Sequence, residues 1–377
     1  MSGFFPDIRA AEGALQQEAF TRWQAMGDLR RRETWRWTPL DALRDEARRV
    51  ENADYQFDLP DAIGEDFGTF TEADRALLAL DDAAFAALNL ALLPDALQLT
   101  VPDGADLDAI AALNIDLLAR RLQTSRIHIR AGKNSRSAFW IDYRASRSGA
   151  QLPVITVNAE DGAQIDIALW FHGDSGTAQV AQVAVQQATD SRVRVNALQA
   201  GGDLLRLDIH SELHGEGTHF AFGGVQLLTG KQTGDYHLNV RHLTENSESH
   251  QRVRGALDDA ALGIFDGMIY VAHGAQKTDA RQDSRYILLS DSARSHSVPR
   301  LEIYADDVQC AHGSTTGKVD EEALFYLRSR GIGYEAARKM LILSFLHEAV
   351  VVEHQTLADA VHQTISDIWL GDDEAAA

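Results

Sequence analysis

Hydrophobic and polar residues follow three different patterns along the chain. In the first zone, up to about residue 95, Phe20, Trp23 and Met26 recur at helical spacing, and a stretch rich in alanine and leucine runs from Ala76 to Leu93. Thr71 precedes that stretch as a candidate N-cap, with acidic residues directly after it. The first zone is therefore predicted to be helical.

In the second zone, from about residue 96 to residue 318, apolar and polar residues alternate with a period of two. Examples are residues 154–157, 165–169 and 205–209, and clusters of glycine, aspartate and asparagine separate such runs about every 10 to 15 residues. This pattern predicts an all-β region. It leaves two architectures open, a β-sandwich and a solenoid of stacked coils, because no strict repeat motif stands out.

Helical patterns return in the third zone, residues 319–377. Asp320 is a good N-cap for a first helix, Gly331 sits just past its end, and a longer helix is predicted over residues 334–354. Apolar residues of the last helix share one face: Leu357, Val361, Ile365, Ile368 and Trp369. That face either packs on the β region, which the pattern slightly favours, or docks a partner in a groove.

The amino-acid composition indicates the cellular compartment and excludes some classes of binding partner. The chain has 377 residues, enough for two or three domains, and its net charge of −21 argues against non-specific binding to nucleic acid. Its single cysteine excludes an intrachain disulfide and fits a reducing compartment such as the cytosol. The N-terminal residues show no signal-peptide pattern, and no apolar run reaches the roughly 18 residues that a membrane helix needs. We therefore expect a cytoplasmic protein without membrane insertion.

The only cysteine, Cys310, lies two residues before His312. On an extended strand the two side chains would share one face, about 6.6 Å apart. Sulfur and imidazole both suit iron, zinc or copper. One thiol and one imidazole fall short of the four ligands that a cluster or a structural zinc normally takes. Either the pair is structural, with a buried free cysteine beside a histidine at the strand end, or a second chain supplies the missing ligands.

Three other motifs are incomplete. The segment from Gly313 to Lys318 has three residues between its glycines, where a phosphate-binding P-loop has four. His347 and His354 are seven residues apart, too far along a helix to share one metal. A group of histidines and glutamates could bind a metal but is more typical of an exposed polar turn: His210, Glu212, His214, Glu216 and His219.

Acidic pairs keep an enzymatic alternative open. A polysaccharide-cleaving β-solenoid needs two positioned carboxylates, and the pairs Asp258-Asp259 and Asp306-Asp307 would supply them. A chain with 56 acidic residues also produces such pairs by chance. Such an enzyme would usually be exported, and the N-terminus shows no signal for export.

From about residue 238 to Gly331 the chain resembles the SufB/SufD family of iron–sulfur cluster assembly proteins. The resemblance rests on an ordered set of motifs: Ser247 and Ser249, Gly255-Ala-Leu257, Phe265-Asp-Gly267 with Ile269, residues 276–282, Leu288-Leu-Ser-Asp291, residues 299–308, Cys310-Ala-His-Gly313, Asp320-Glu-Glu322 and residues 324–331. Trp35-Arg-Trp-Thr-Pro-Leu40 is similar to the N-terminal signature of the family. A single cysteine, and glycine rather than glutamate after His312, resemble SufD more than SufB.

The resemblance implies a right-handed parallel β-helix core at residues 96–318, between an N-terminal helical domain (1–95) and a C-terminal helical domain (319–377). SufD-like proteins pair with SufB through the β-helix core, and each binds the ABC-type ATPase SufC through its C-terminal helical domain. A transient iron–sulfur cluster forms at the SufB–SufD interface, ATP binds only the ATPase, and some complexes bind reduced flavin. The implied role is a non-catalytic scaffold subunit, with a homodimer as a further option when SufB is absent.

The resemblance also implies roles for particular residues. His312 would be a ligand or proton acceptor for the nascent cluster and Cys310 an auxiliary thiol, with a cysteine of SufB as partner. The predicted ATPase-docking helices carry Tyr334, Met340, Leu341, Phe345, Leu357, Val361, Ile365 and Trp369. Two rival interpretations stay open: a cytosolic β-solenoid enzyme acting on polysaccharide, and a plain protein-interaction module without a metal role.

Overall fold

A parallel β-solenoid forms the centre of the molecule. The computed structural model describes residues 8–43, 49–69, 77, 83–93, 95–117, 121–146 and 148–371. About 50% of the chain is strand, arranged in about 7 turns, and successive strands alternate between two long sheets along most of the chain. Within the described ranges, no helix combines the length and hydrophobicity needed to cross a bilayer.

The strands are numbered in chain order. Sheet A contains β1 (Arg49–Asn52), β3 (Gly64–Thr69), β4 (Asp95–Val101), β6 (Arg121–Ala131), β8 (Ala150–Ala159), β10 (Ala178–Gln187), β12 (Leu204–Leu213), β14 (Thr233–His242), β16 (Leu262–Val271) and β18 (Arg294–Ile303). Sheet B contains β2 (Gln56–Asp58), β5 (Asp106–Leu117), β7 (Arg136–Ala145), β9 (Gln164–Gly173), β11 (Arg192–Gly201), β13 (His219–Leu228), β15 (Glu248–Leu257), β17 (Asp279–Leu288) and β19 (Gln309–Gly317).

The two ends of the solenoid differ. At the first end, β2 pairs antiparallel with β5, β3 pairs antiparallel with β4, and β1 lies parallel to β6. At the last end, β18 and β19 each pair with one neighbouring strand among the residues that the structure describes. The solenoid therefore has a covered first end and an open last end.

The covered end corrects one expectation from the sequence. The first zone was predicted to be helical, but residues 49–69 form β1, β2 and β3. Backbone groups at the edge of the first coil need hydrogen-bond partners, and this segment provides them. Pairing with a sheet distant in sequence overrides the weak local pattern.

Left-handed corner residues repeat from coil to coil. Backbone φ is positive at one column of corner positions: Gly104, Asn134, Gly162, Asp190, Gly217, Asn246 and Lys277. Each of these residues donates its N–H to a carbonyl oxygen in the next coil. Glycine, asparagine and aspartate tolerate this conformation better than other residues. The column recurs about every 28 residues, the length of one coil, so the parallel solenoid implied by the resemblance is confirmed and the sandwich is excluded.

Two helices cover the outer face of sheet A. Helix α1 (Ala14–Ala25) and helix α2 (Ala84–Leu92) bury Trp23 and Phe85 in one cluster with Leu152 and Val180 of the sheet. The helical spacing of Trp23 and Met26 in the sequence therefore marks a real buried face. The predicted N-cap at Thr71 lies outside the described residues.

The segment after α1 anchors on a buried arginine of sheet A. Arg206 is fully buried, its guanidinium lies 3.6 Å from the Trp35 ring centroid, and it pairs with Asp208 at 2.7 Å and Asp235 at 3.2 Å. The hydroxyl of Thr38 accepts a hydrogen bond from Arg206 Nη1 and donates one to Asp235 Oδ2, both at 2.6 Å. The N-terminal signature Trp35–Leu40 is therefore a strap fixed by a buried ion pair.

Helices α4 (Tyr334–His347) and α5 (Gln355–Leu370) cover part of the outer face of sheet B, and α3 (Glu321–Ser329) packs against α4. The Asp320 carboxylate accepts hydrogen bonds from the backbone N–H groups of Glu322 and Ala323, and Gly331 has φ of 91°. The predicted cap and stop signals of α3 are therefore confirmed.

Helix α4 ends at His347 rather than at residue 354 as predicted. Side chains of sheet B bind the backbone of the following segment. Asn196 Oδ1 accepts hydrogen bonds from the N–H groups of Val351 and Val352, and Asp166 Oδ2 accepts those of Glu353 and His354. These side chains of sheet B thus satisfy the backbone N–H groups that would otherwise form helical hydrogen bonds.

The apolar face of α5 packs on sheet B. Leu357, Val361 and Ile365 are 0% exposed and share a buried cluster with Leu198 and Val225 of the sheet. The prediction that this face packs on the β region is therefore confirmed for these three residues. They hold the C-terminal helices on the solenoid.

Candidate functional site

Strand β19 presents unpaired backbone groups at the open end. The N–H of Gln309 donates to Thr278 O in the preceding coil, and successive backbone groups of a strand point alternately to either side. The groups that face away from β17 are therefore those of Cys310, His312, Ser314 and Thr316. All of β19 is exposed except half-buried Cys310.

Strand β18 presents the open edge of sheet A. The N–H of Arg294 donates to Ala261 O in the coil beneath, so the odd-numbered residues of β18 turn their backbone groups outward. One of these outward positions is Pro299, which has no N–H to leave unpaired. Proline is tolerated in sheets mainly at such edge positions.

Cys310 turns its thiol toward the solenoid interior. It packs against a small buried cluster: Ile269, Val271, Ala275, Ala280 and Ala305. Burial and the nearby charge of Asp279 raise the pKa of the thiol, outweighing a hydrogen bond with the Ala280 backbone. A thiol held in its protonated form is a weak nucleophile and a weak metal ligand.

His312 lies on the same face of β19 as Cys310, as the spacing of two predicted. It is in register with Gln282 of the preceding coil. Gln282 is buried, whereas His312 is exposed at the open end. The imidazole is therefore accessible to another molecule without any movement of the coils beneath it.

Small polar side chains replace the apolar interior in the last coil. Ser297 is in register with Phe265 of the coil beneath, and Thr316 is in register with Tyr286. Two hydroxyl pairs link strands of the two opposite sheets, Ser284 Oγ with Ser297 Oγ at 2.5 Å and Ser295 Oγ with Thr316 Oγ1 at 2.8 Å. Such a surface suits contact with water or with polar groups of another chain.

The open end supplies two candidate ligand atoms for iron, the sulfur of Cys310 and an imidazole nitrogen of His312. Within the described ranges, no group of three or more His, Cys, Asp or Glu side chains is placed to hold a metal ion. An iron–sulfur cluster normally takes four protein ligands. The two donor atoms of this pair fall short of that number.

Four large side chains on the C-terminal helices α3 and α4 are exposed, and we call this set the aromatic patch. It consists of Phe325 (73% exposed) and Tyr326 (56%) on α3 with Tyr334 (47%) and Met340 (51%) on α4. Sequence reasoning named Tyr334 and Met340 but missed Phe325 and Tyr326. The available signal was a pair of aromatic residues directly after Leu324, the buried position of α3.

The other residues predicted to dock a partner differ in exposure. Leu341, Phe345 and Trp369 are half-buried, and the indole N–H of Trp369 donates to Lys339 O at 3.1 Å. Leu357, Val361 and Ile365 are fully buried against sheet B. These three side chains can support a docking surface but cannot contact a partner, because the solenoid already covers them.

The remaining sequence motifs lie in regular structure or at corners. Residues 313–317 are extended within β19, so they form no phosphate loop. The carboxylate of Asp259 accepts the N–H of Gly230 at 3.1 Å, and Asp307 pairs with Lys277. These acidic residues therefore make contacts between coils at the solenoid corners.

Comparisons with known proteins identify related chains. The family model described as "SUF system FeS cluster assembly, SufBD core domain" matches residues 115–345. SufD of Escherichia coli K12 is 34% identical over 161 residues, 43% of this chain and 38% of the relative. SufD of Bacillus subtilis 168 is 36% identical over 158 residues, 42% of this chain and 36% of the relative. These alignments span well under half the length of either relative.

A more distant relative aligns over a longer stretch. An iron–sulfur cluster assembly SufBD family protein of Mycobacterium leprae is 26% identical over 335 residues, 85% of this chain and 84% of the relative. The alignments therefore include both the core region and sequence outside it.

Proposed function

Because the chain belongs to the SufB/SufD family of SUF-system iron–sulfur cluster assembly proteins and is similar to SufD, we propose that it is the SufD-like scaffold subunit of a complex with a SufB-like chain and a SufC-like ABC ATPase. The open last coil is the observation that carries this proposal. In this role the chain catalyses no reaction. It supplies one half of a surface on which the partner and this chain build a cluster as cargo.

The SufB-like chain covers the open end. Unpaired backbone groups at a sheet edge readily accept a strand of another chain. Strands β18 and β19 offer such an edge in each sheet, on either side of a polar interior. Docking there would continue both sheets from one solenoid into the next and would bring partner ligands to His312.

Replacing Ser314 with proline should weaken binding of the SufB-like partner about tenfold or more, because it removes an edge N–H and places a ring where the partner strand lies. Ser314→Ala keeps the N–H and is the matched control. The affinity of each purified variant for the partner is measured by titration calorimetry. Equal affinities of the proline and alanine variants would place the partner elsewhere.

His312 acts as the nitrogen ligand of the nascent cluster. A neutral imidazole has one ring nitrogen with a free lone pair, which suits iron. Cys310 is auxiliary, because the raised pKa of its thiol keeps it protonated. The partner supplies thiolate ligands. Together with the two donor atoms of this chain they complete the cluster site.

The aromatic patch docks the SufC-like ATPase. Exposed aromatic side chains on neighbouring helices are typical anchors of protein interfaces. Arg328 and Arg330 lie 5.6 and 5.2 Å from the ring centroids of Tyr334 and Tyr326 and add cationic groups to the patch. The buried residues of α5 fix the patch on the solenoid, so that a movement of the ATPase is transmitted to the core.

The double variant Phe325→Ala with Tyr334→Ala should lower the affinity for the ATPase about 30-fold or more, because buried aromatic anchors dominate interface energies. Phe67→Ala removes a side chain that is 57% exposed on β3, at the covered end, and serves as control. Binding is measured with purified ATPase by biolayer interferometry. An ATPase that binds the double variant and the control equally would refute the docking assignment.

The proposal assigns ATP to the ATPase alone and reduced flavin to the assembled complex. A second copy of this chain covers the same open end when the SufB-like partner is absent. A sugar-cleavage screen of the purified chain should show no activity, and glycan hydrolysis would favour the rival enzyme. Measuring iron and sulfide in the co-purified complex distinguishes a scaffold from a plain interaction module, because the complex of a plain module would contain neither.

A further inference from the structure

Glutamine side chains inside the solenoid form ladders from coil to coil. In sheet A, Gln179 Nε2 donates to Gln151 Oε1 at 2.5 Å, and Gln151 Nε2 donates to Gln123 Oε1 at 2.8 Å. In sheet B, Gln226 Nε2 donates to Gln199 Oε1 at 2.9 Å, and Gln282 Nε2 donates to Gln251 Oε1 at 3.1 Å. The glutamine of the later coil is the donor in every one of these pairs. Each ladder therefore ends, toward the open end, in an amide oxygen that no further glutamine donates to, and Gln226 Oε1 accepts the Tyr286 hydroxyl at 3.1 Å instead.

The last ladder ends directly beneath His312. Gln282 is 2% exposed, and its Oε1 is buried without a hydrogen-bond partner among the described residues. A buried polar atom of this kind is unusual in a folded protein. The next residue in register, on the same face of the next strand, is His312. A ring N–H of histidine is a suitable donor for an amide oxygen.

The surroundings of Gln282 fix the position of its amide. Gly267 lies beside it, and a Cβ at that residue would stand 2.8 Å from Gln282 Nε2. The amide of Gln282 thus lies between the Gly267 backbone and Gln251, and its oxygen has no hydrogen-bond partner among the described residues. In-register residues on adjacent strands are about 4.8 Å apart, so a rotation of the exposed His312 ring brings its N–H within hydrogen-bond distance.

We propose that Gln282 is a positioning residue for His312: its Oε1 accepts a hydrogen bond from one ring N–H and so fixes which ring nitrogen carries the proton. The other nitrogen then presents its lone pair toward the open end. Metal-binding histidines commonly donate their second ring N–H to an oxygen in this way, which fixes the tautomer and raises ligand basicity. The inference deepens the proposed function and rests on it for the meaning of the ligand, but the hydrogen bond itself is a property of the metal-free chain.

The test uses nuclear magnetic resonance of the full chain labelled with ¹⁵N-histidine, without metal, at about pH 8.5, where an ordinary histidine is neutral. Signals that vanish in His312→Ala identify His312. In the wild type we expect a visible His312 ring N–H, protected from exchange with water, and a single tautomer. In Gln282→Leu the N–H signal should disappear and the two ring nitrogens should show averaged shifts.

Three further variants make the result specific. Gln282→Glu keeps an acceptor of the same length and should keep the protected N–H, whereas Gln282→Asn, one methylene shorter, should lose it. Gln199→Leu breaks the separate ladder between Gln199 and Gln226 and should leave the His312 signals unchanged. The Asn variant decides the matter should the Leu variant fail to fold.

A His312 ring that shows no protected N–H in the wild type, or identical signals in the wild type and in Gln282→Asn, would overturn the positioning role. Such a result leaves the proposed function standing, because the ligand role of His312 is tested separately, by cluster assembly in the complex with His312→Ala. The two failures are therefore distinguishable by separate measurements.

Discussion

The variant His312→Ala should assemble iron–sulfur clusters about 100-fold more slowly than the wild type in the complex, because it removes a direct ligand and even residues that only orient metal ligands commonly contribute 10- to 100-fold. The imidazole is the one exposed donor of the Cys310–His312 pair. After its removal the pair retains a half-buried thiol whose raised pKa keeps it protonated. Assembly is measured as the rate at which a reconstituted complex loads an apo-ferredoxin.

This effect should be chemical rather than structural. His312 is exposed on an edge strand, where substitutions usually change stability little, so partner affinity and melting temperature should stay at wild-type values. His214→Ala, which removes a histidine with a 49% exposed side chain from a turn before β13, is the matched control. Cys310→Ser should slow loading much less than His312→Ala. Normal loading by His312→Ala would remove the ligand role.

The second large effect concerns stability: Asp235→Ala should lower the free energy of unfolding by about 3–5 kcal/mol, the usual consequence of removing one partner of a buried ion pair. Asp235 is fully buried, lies 3.2 Å from Arg206 and 2.8 Å from His237, and accepts the Thr38 hydroxyl at 2.6 Å. Its loss leaves the buried Arg206 without one of its two carboxylates and releases the strap. Chemical denaturation of both proteins measures the difference.

The same residue gives the stability a pH dependence of known sign. Burial alone would raise the pKa of Asp235, but the charges of His237 and Arg206, with hydrogen bonds from His237 and Thr38, hold it below its ordinary value. A carboxyl group with a lowered folded pKa stabilises the fold above its unfolded pKa of about 3.9, and this contribution is lost as the pH falls through the folded pKa. The difference in stability between the wild type and the variant should therefore shrink as the pH falls through the folded pKa of Asp235.

A surface pair provides the control for Asp235. Asp291 is 97% exposed and lies 3.4 Å from Lys318, also exposed. Because solvent screens such a pair, Asp291→Ala should leave the denaturation midpoint almost unchanged. Similar losses of stability in Asp235→Ala and Asp291→Ala would mean that the buried network contributes no more than a surface contact.

Sequence patterns correctly predicted the structural features that are determined by neighbouring residues in the chain. The cap at Asp320, the alternation of β strands and the shared face of Cys310 and His312 depend on residues only a few positions apart. The corner column was also present in the sequence, but glycine, asparagine, aspartate and lysine exchange within it, so it does not form a strict motif. A search for residues that tolerate positive φ at intervals of about 28 positions would have favoured the solenoid over the sandwich.

The features that the sequence did not predict depend on distant partners. Helix α4 ends early because Asn196 and Asp166, more than 150 positions away in the chain, bind the backbone that follows it. Strands β1 to β3 exist because the first coil needs covered edges. The position of Gln282 beneath His312 depends on the coil length, which shifts by a residue or more from coil to coil. No local pattern contains these distances.

The central claim is that another chain covers the open last coil, and alkylation of Cys310 tests it most directly, because a single cysteine makes the site of reaction unambiguous. The reaction with iodoacetamide, followed by intact mass without iron present, is compared between the isolated chain, diluted until it is monomeric, and its complex with the SufB-like partner. Partner docking should slow the reaction about tenfold or more, since it excludes reagent from the edge that holds the thiol. A rate that stays the same when the partner is fully bound would contradict the account.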